Sequence, residues 1–269
     1  MPKHKKQKGD KHGHQGHKTP YTKPGKPVSK PGPTKRPEPT IPFAPEDDRI
    51  LLVGEGDLSF AKSIVEHHGC CDLTATCFDS QEVLYEKYAP QAEEHVKYLE
   101  DEGQTVLFNV DATKLNTHKK LGSSGRFDRI LFNFPHVGGK SKDVNRQVRF
   151  NQELLVKFFG AAVPLLADDG TIVVTLFEGE PYTLWNVRDL ARHSELEVQR
   201  TFKFQAEAYP GYSHARTLGN IEGGGGWKGE DRDAKSFIFQ KKGSQTRAAF
   251  KQKGGKKRKK GDDSDSDDD

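Results

Sequence analysis

The stretch "RILLVG", Arg49 to Gly54, constrains this chain more than any other. Its aliphatic residues follow one another without a polar break and stop on glycine, the pattern of a strand buried on both faces. Next comes "LSFAKSIVEHH", where Leu58, Phe60, Ala61, Ile64 and Val65 form one helical stripe. This pairing of run and stripe recurs. Further strands are predicted over Asp72 to Phe78, Gln104 to Val110, Arg126 to Pro135, Gly170 to Phe177, Leu196 to Phe204 and Lys235 to Lys242. Helical patterns cover "QEVLYEKY", then "QAEEHVKYLEDEG" beyond an interruption near Pro90, then Asn145 to Leu166 and Thr183 to Ser194. Strands alternating with helices form a parallel sheet with helices on both faces. No helix separates the last two strands, so the final strand is expected to be antiparallel.

An α/β chain with a mostly parallel seven-stranded sheet and an antiparallel last strand has the pattern of a Rossmann-like class I methyltransferase. Ligand then binds at the loops that follow strands one to four. The pattern is confined to the middle of the 269 residues. Residues 1–46 are a basic arm of Lys, His, Pro and Gly, and 243–269 run from "KQKGGKKRKK" into the acidic "GDDSDSDDD". Neither holds enough apolar residues to offset the entropy of ordering, so both are expected to be disordered, leaving residues 47–242 as the folded domain. The net charge of +4 is a sum that hides two basic arms and an acidic tip. "KKRKK" points to the nucleus and the import machinery, against the plainer reading of a solubilising tail. No stretch is apolar enough for a membrane span and no secretory signal opens the chain. Cys70, Cys71 and Cys77 fit no metal or redox spacing, which suggests a reducing compartment. His4, His12, His14 and His17 lack fixed geometry, so no metal site is expected.

The turn after the first strand, Gly54-Glu55-Gly56-Asp57-Leu58-Ser59, resembles G-x-G-x-x-G with serine in the third glycine's place. A tight packing turn would look the same. Asp79, ending the second strand, suits a ribose diol in either a dinucleotide or S-adenosylmethionine. The acids discriminate. A pyrophosphate would meet Glu55 and Asp57 at a helix N-terminus, against like charge. S-adenosylmethionine carries a sulfonium and an ammonium and tolerates both carboxylates, even if Asp57 only caps the helix. Ser59 and Phe60 complete the turn. Asp111, with Ala112 after it, is placed to accept from an adenine amino group or to cap a helix. An NAD(P)-dependent oxidoreductase is thereby disfavoured.

After the fourth strand comes Asn133-Phe134-Pro135-His136, a departure from the [DN]-P-P-[YFW] turn of methyltransferases that act on planar nitrogens. Such a nitrogen has a delocalised lone pair and must be aligned at about 3 Å from the methyl group. An amide side chain fixes the base, Pro135 fixes the turn, and a flat residue stacks on the ring. An ordinary strand-ending turn is the plain alternative.

"VGEGDLSF", "FDSQEVLYEKY", "VLFNVDAT", "FNFPHVGG" and "YPGYSHARTLG" together resemble the ribosomal RNA uridine-N3 methyltransferase family with a Bmt5-like domain, over about Arg49 to Gly219. The resemblance implies S-adenosylmethionine as donor, large-subunit rRNA or pre-ribosomal particles as partner, and a nucleolar setting. Relatives in other lineages carry a ferredoxin-fold anticodon-binding domain after this one; none is expected here, which favours the ribosomal branch. On this reading Asn133 hydrogen-bonds the pyrimidine edge and Phe134 or His136 packs on its face. His136 is then the nearest candidate base, unless it is a turn histidine without a proton role. Lys140, Lys142, Arg146 and Arg149, with Tyr209, Tyr212, His214 and Arg216, would frame a splayed-out uridine, unless they are a solvated face and a packed loop. The rival is a non-catalytic RNA-binding assembly factor on the same fold.

Overall fold

In the first strand, β1 (Arg49–Leu52), every residue after Arg49 is buried, because parallel neighbours flank it on both sides. Side-chain alternation divides that burial between two layers. Leu51 and Val53 join one apolar cluster, Ile50 and Leu52 the other. The computed structural model describes residues 40–139, 141–217, 219–220 and 229–244. These fall in one compact unit, Glu38–Asp269; the other, Met1–Pro37, lies outside the described residues.

The remaining strands are β2 (Asp72–Thr76), β3 (Thr105–Leu107), β4 (Phe127–Asn133), β5 (Leu166–Phe177), β6 (Leu196–Lys203) and β7 (Ala234–Lys241). They form a seven-stranded sheet in the order β3-β2-β1-β4-β5-β7-β6. All pairs are parallel except those of β7, which runs antiparallel to both β5 and β6. The order reverses between β1 and β4, so their carboxyl ends open the crevice where such sheets bind ligand.

One face of the sheet is covered by α1 (Ser59–Glu66), α2 (Gln81–Lys87) and α3 (Gln91–Asp101), with Ile64, Leu84, Val96 and Leu99 buried. The other face carries α4 (Lys119–Ser123), α5 (Val144–Ala162) and α6 (Val187–His193), led by Leu155, Phe158 and Phe159. Local chemistry sets the helix starts. Ser80 and Asp143 cap α2 and α5 by accepting from the amides of Val83 and Arg146.

Several expected boundaries move. The predicted arm to residue 46 overreaches, because Ile41 is 3% exposed and Phe43 packs on the core. Asp48 accepts the Ala44 amide at 2.7 Å and meets the Arg129 guanidinium at 2.9 Å, tying this segment to β4. The helix expected to reach Leu166 stops at Ala162, and Leu166 already pairs with Phe127 in the sheet. The pattern over Thr183–Ser194 divides at Asn186, which is left-handed (φ 52°) between a 3-10 turn and α6. The 3-10 helix at Ala112–Thr117 and α4 carried no periodic stripe and were not anticipated. Among the described residues no helix is long and apolar enough to cross a membrane.

Candidate functional site

Gly54 leaves β1 with φ +67°, and a Cβ there would lie 2.8 Å from the Phe132 ring of the neighbouring strand. Only glycine makes that exit without strain. A Cβ on Gly56 would stand 2.8 Å from the Ala215 Cβ, so the segment 209–217 lies directly on the turn. Ser59 Oγ straps the two together, donating to the Ser213 carbonyl and accepting from its amide, each at 3.1 Å. Tyr88 adds a second strap by donating to the Arg216 carbonyl at 2.7 Å.

The turn and the ends of β2, β3, β4 and β5 enclose a cavity of about 730 Å³. Glu55, Asp57 and Asp79 line one part, and Asn133, Phe134 and His136 line another. Burial first, then the charge of Asp57, raise Glu55 to about 8, although the Ala61 amide donates to it at 3.3 Å. The carboxyl is therefore largely protonated at neutral pH. Asp57 Oδ1 accepts the Ser59 amide at 3.1 Å, so it does act at the helix start.

Asp79 meets Lys87 Nζ at 2.8 Å through Oδ2. Asp111 Oδ1 accepts from the amide and hydroxyl of Thr113 at 2.8 and 2.7 Å, so its capping role is real; Oδ2 stands 3.9 Å from Lys114. Burial pushes Asp111 up, but Thr113 and the nearby lysines bring it net below the usual range. Phe78, 69% exposed, and Ala112 complete this wall.

Asn133 ends β4 with both amide atoms buried and unpartnered. The turn beyond it is held by α5: Asn151 Oδ1 accepts the Val137 amide at 3.0 Å and Gln147 donates to the Gly138 carbonyl at 2.6 Å. A buried amide without a hydrogen-bond partner is uncommon in a folded protein and calls for an explanation. Phe134, left-handed at φ 50°, packs its ring 4.5 Å from Phe177 and 4.5 Å, edge-on, from His214. Much of its surface is thus already used by the protein.

The expectation that His136 is the base is corrected by its hydrogen bond. Its Nδ1 accepts the Gly138 amide at 2.9 Å, which puts the proton of the neutral ring on Nε2 and makes that nitrogen a donor. Burial lowers its proton affinity. Burial and then the Arg232 charge push His214 down to about 4, and the Tyr212 hydroxyl lies 3.1 Å from its Nδ1.

The expected RNA residues separate. Tyr212 and His214 line the cavity. Tyr209 does not and is corrected to a core residue: it is 2% exposed, with its ring 4.8 Å from Phe60 and 5.4 Å from Phe204. Arg216 is half-buried outside the cavity lining. Lys142, Arg146 and Arg149 are exposed on and before α5, away from the lining, and Lys140 lies outside the described residues. Sequence reasoning assigned no role to Phe78, Lys87, Tyr88, Phe177, Tyr182 or Arg232, all of which line the cavity. The lysine eight residues after Asp79, on one helix, was a usable signal; Arg232, in an irregular segment, offered none.

An acidic glycine turn where the strand order reverses, under a sheet whose antiparallel strand is inserted between β5 and β6, belongs to the Rossmann-like methyltransferases. More narrowly, the chain belongs to the BMT5-like family, described as rRNA (uridine-N3-)-methyltransferase BTM5-like, whose sequence pattern matches residues 51–216. It is 33% identical to the 25S rRNA (uridine(2634)-N(3))-methyltransferase of Saccharomyces cerevisiae, over 84% of this chain and 81% of that protein. It is 37% identical to heavy metal-associated isoprenylated plant protein 41 of Arabidopsis thaliana, over 62% of this chain but 33% of that one. Among solved structures, a methyltransferase from Pyrococcus furiosus aligns at TM-score 0.40 and 18% identity, over 71% of this chain and 74% of that one.

Proposed function

We propose that this chain methylates N3 of a uridine in large-subunit ribosomal RNA, with S-adenosylmethionine as donor. The observation that carries the reading is the Asn133 amide, buried without partners in the same cavity as the acidic glycine turn. The residues fit the donor: Glu55 and Asp57 would face its positive groups, Asp79 its ribose, Phe78 and Asp111 its adenine. When bound, S-adenosylmethionine supplies a methyl group on a positively charged sulfur. The chain's own residues do the rest. Glu55 ionises as that charge enters. Asn133 Nδ2 donates to a carbonyl beside N3, and its Oδ1 holds the N3–H until the proton leaves. His136 Nε2–H is a second donor within the cavity. Negative charge spreads over O2, N3 and O4 as N3 ionises, so fixed donors there lower the barrier directly.

The exposed Arg146 and Arg149, with Lys140 and Lys142 in the same stretch, and the basic termini supply sequence-blind attraction for RNA phosphate. The nucleolus, reached through nuclear import of the basic tail, is the proposed setting. The similarity to the yeast enzyme named for a 25S rRNA uridine supports this substrate class. The test is methyl transfer by the purified chain to large-subunit rRNA, followed by mass spectrometry of nucleosides. N3-methyluridine is expected from the wild type and forms about a hundredfold more slowly in Asn133→Ala, which still binds the donor. Unchanged product from Asn133→Ala would refute the assignment, and wild-type binding of RNA but not of donor would mark a non-catalytic assembly factor.

A further inference from the structure

Arg232 lines the cavity together with the turn that carries Asn133. It sits between a 3-10 turn, Gly229–Asp231, and β7, in a segment held where the Glu178 amide donates to the Asp233 carbonyl at 2.8 Å. Its guanidinium carbon stands 4.1 Å from the centre of the Phe177 ring and 5.5 Å from that of Tyr182. The neighbouring carboxylates are engaged elsewhere, Asp233 with Lys203 at 2.7 Å and Glu178 with Lys235. Among the described residues no carboxylate forms an ion pair with Arg232, and its charge is felt by His214. The side chain is exposed at the cavity mouth, which an RNA guest would cover. A cation laid on aromatic rings keeps its N–H donors for another acceptor. With no ion pair among the described residues, it is suited to negative charge that develops only during reaction.

The inference rests on the functional reading above, in which such charge must appear. Uracil N3 lies between two carbonyls and carries a proton. That proton passes to water, and the electron pair left on N3 forms the bond to the methyl carbon while the sulfur keeps the pair of the bond it loses. We propose that Arg232 donates to the uracil carbonyl beside N3, stabilises the ring anion, and thereby selects uracil over cytosine. Cytosine offers no N3 proton to lose, and its amino group would set donor against donor at one of those carbonyl positions.

A guanidinium at the mouth of an RNA site also suits a phosphate, and kinetics separate the two roles. The experiment measures single-turnover methyl transfer by the full chain at saturating donor and RNA, for wild type, Arg232→Lys and Arg232→Met. Each is given RNA carrying uridine or 5-fluorouridine, whose N3–H is more acidic. Arg232→Met is expected to slow transfer to uridine about a hundredfold. Its dissociation constants for donor and RNA stay within about twofold, as for a residue that acts only in the transition state. The lysine variant recovers part of the rate, and 5-fluorouridine recovers most of the loss in the methionine variant. Weaker RNA binding with an unchanged saturated rate and a salt slope shallower by about one makes Arg232 a phosphate ligand and overturns the proposal. An equal loss on both RNAs also overturns it. If the wild type makes no N3-methyluridine, the functional reading itself fails, and this inference with it.

Discussion

At the residue scale, the site contrasts a carboxyl held protonated with an amide held without partners. Glu55 has a raised proton affinity because desolvation and Asp57 both oppose its charge. The sign is specific: between the ordinary value of 4.5 and about 8, the folded apo chain keeps a proton that the unfolded chain has lost. Its contribution to stability is present below 4.5 and is lost as pH rises through about 8. A cationic donor favours the ionised form and expels the proton. Calorimetry at pH 7 in buffers of different ionisation enthalpy should register proton release on donor binding. Glu55→Gln should abolish that release and weaken binding by about tenfold, roughly 1.4 kcal/mol. For Asn133→Ala the expected loss is about a hundredfold in kcat with donor affinity kept, as when one donor to a developing anion is removed. The acids and the asparagine could be singled out in the sequence because each stands in a short motif at the end of a predicted strand. The proton position on His136 could not, since the Gly138 amide that sets it is placed by the path of the turn.

At the element scale, the strands and helices around β1 and β4 follow from period and burial, while their anchoring depends on side chains far apart in the chain. Asp48 and Arg129 show this. The Asp48 side chain is 0% exposed and that of Arg129 12%, and Arg129 also donates to the Thr171 hydroxyl at 2.8 Å. One pair thus joins the N-terminal segment, β4 and β5. Asp48→Ala leaves a buried guanidinium without its counter-charge and should cost about 3 to 5 kcal/mol. In a domain of this size that lowers Tm by roughly 6 to 20 °C, measurable by calorimetry. The arm was expected to continue to residue 46 because its composition is Pro-rich and basic. What ends it earlier is Ile41 and Phe43 finding the core, a long-range event with no local signature.

At the scale of the whole molecule, the domain presents its cavity at the carboxyl ends of its parallel strands, and the charges proposed to hold RNA lie outside that cavity. Recognition of the base and attraction for the backbone should therefore be separable. Reversing the charges of Lys142, Arg146 and Arg149 should weaken rRNA binding and flatten its dependence on salt by about one log-log unit for each phosphate no longer neutralised. Donor affinity should not change. Filter binding across a salt series checks this, and an unaltered slope would remove these residues from the interface. The "YPGYSHAR" segment shows how far the sequence could be read. Its aromatic and basic composition suggested RNA binding throughout, but the fold divides it: Tyr209 fills the core, while Tyr212 and His214 reach the cavity.

The sequence by itself determined the alternation of strands and helices, the antiparallel finish and the acidity of the turn after β1, because each follows from local periodicity or from the residue types of a single turn. Tertiary structure alone decided which aromatic residues face the cavity, which nitrogen of His136 carries its proton, and that Arg232 meets Phe177 across the mouth. The first and last of these depend on meetings between segments tens of residues apart, and the proton on His136 depends on the path of its own turn, which no periodic pattern in the chain encodes.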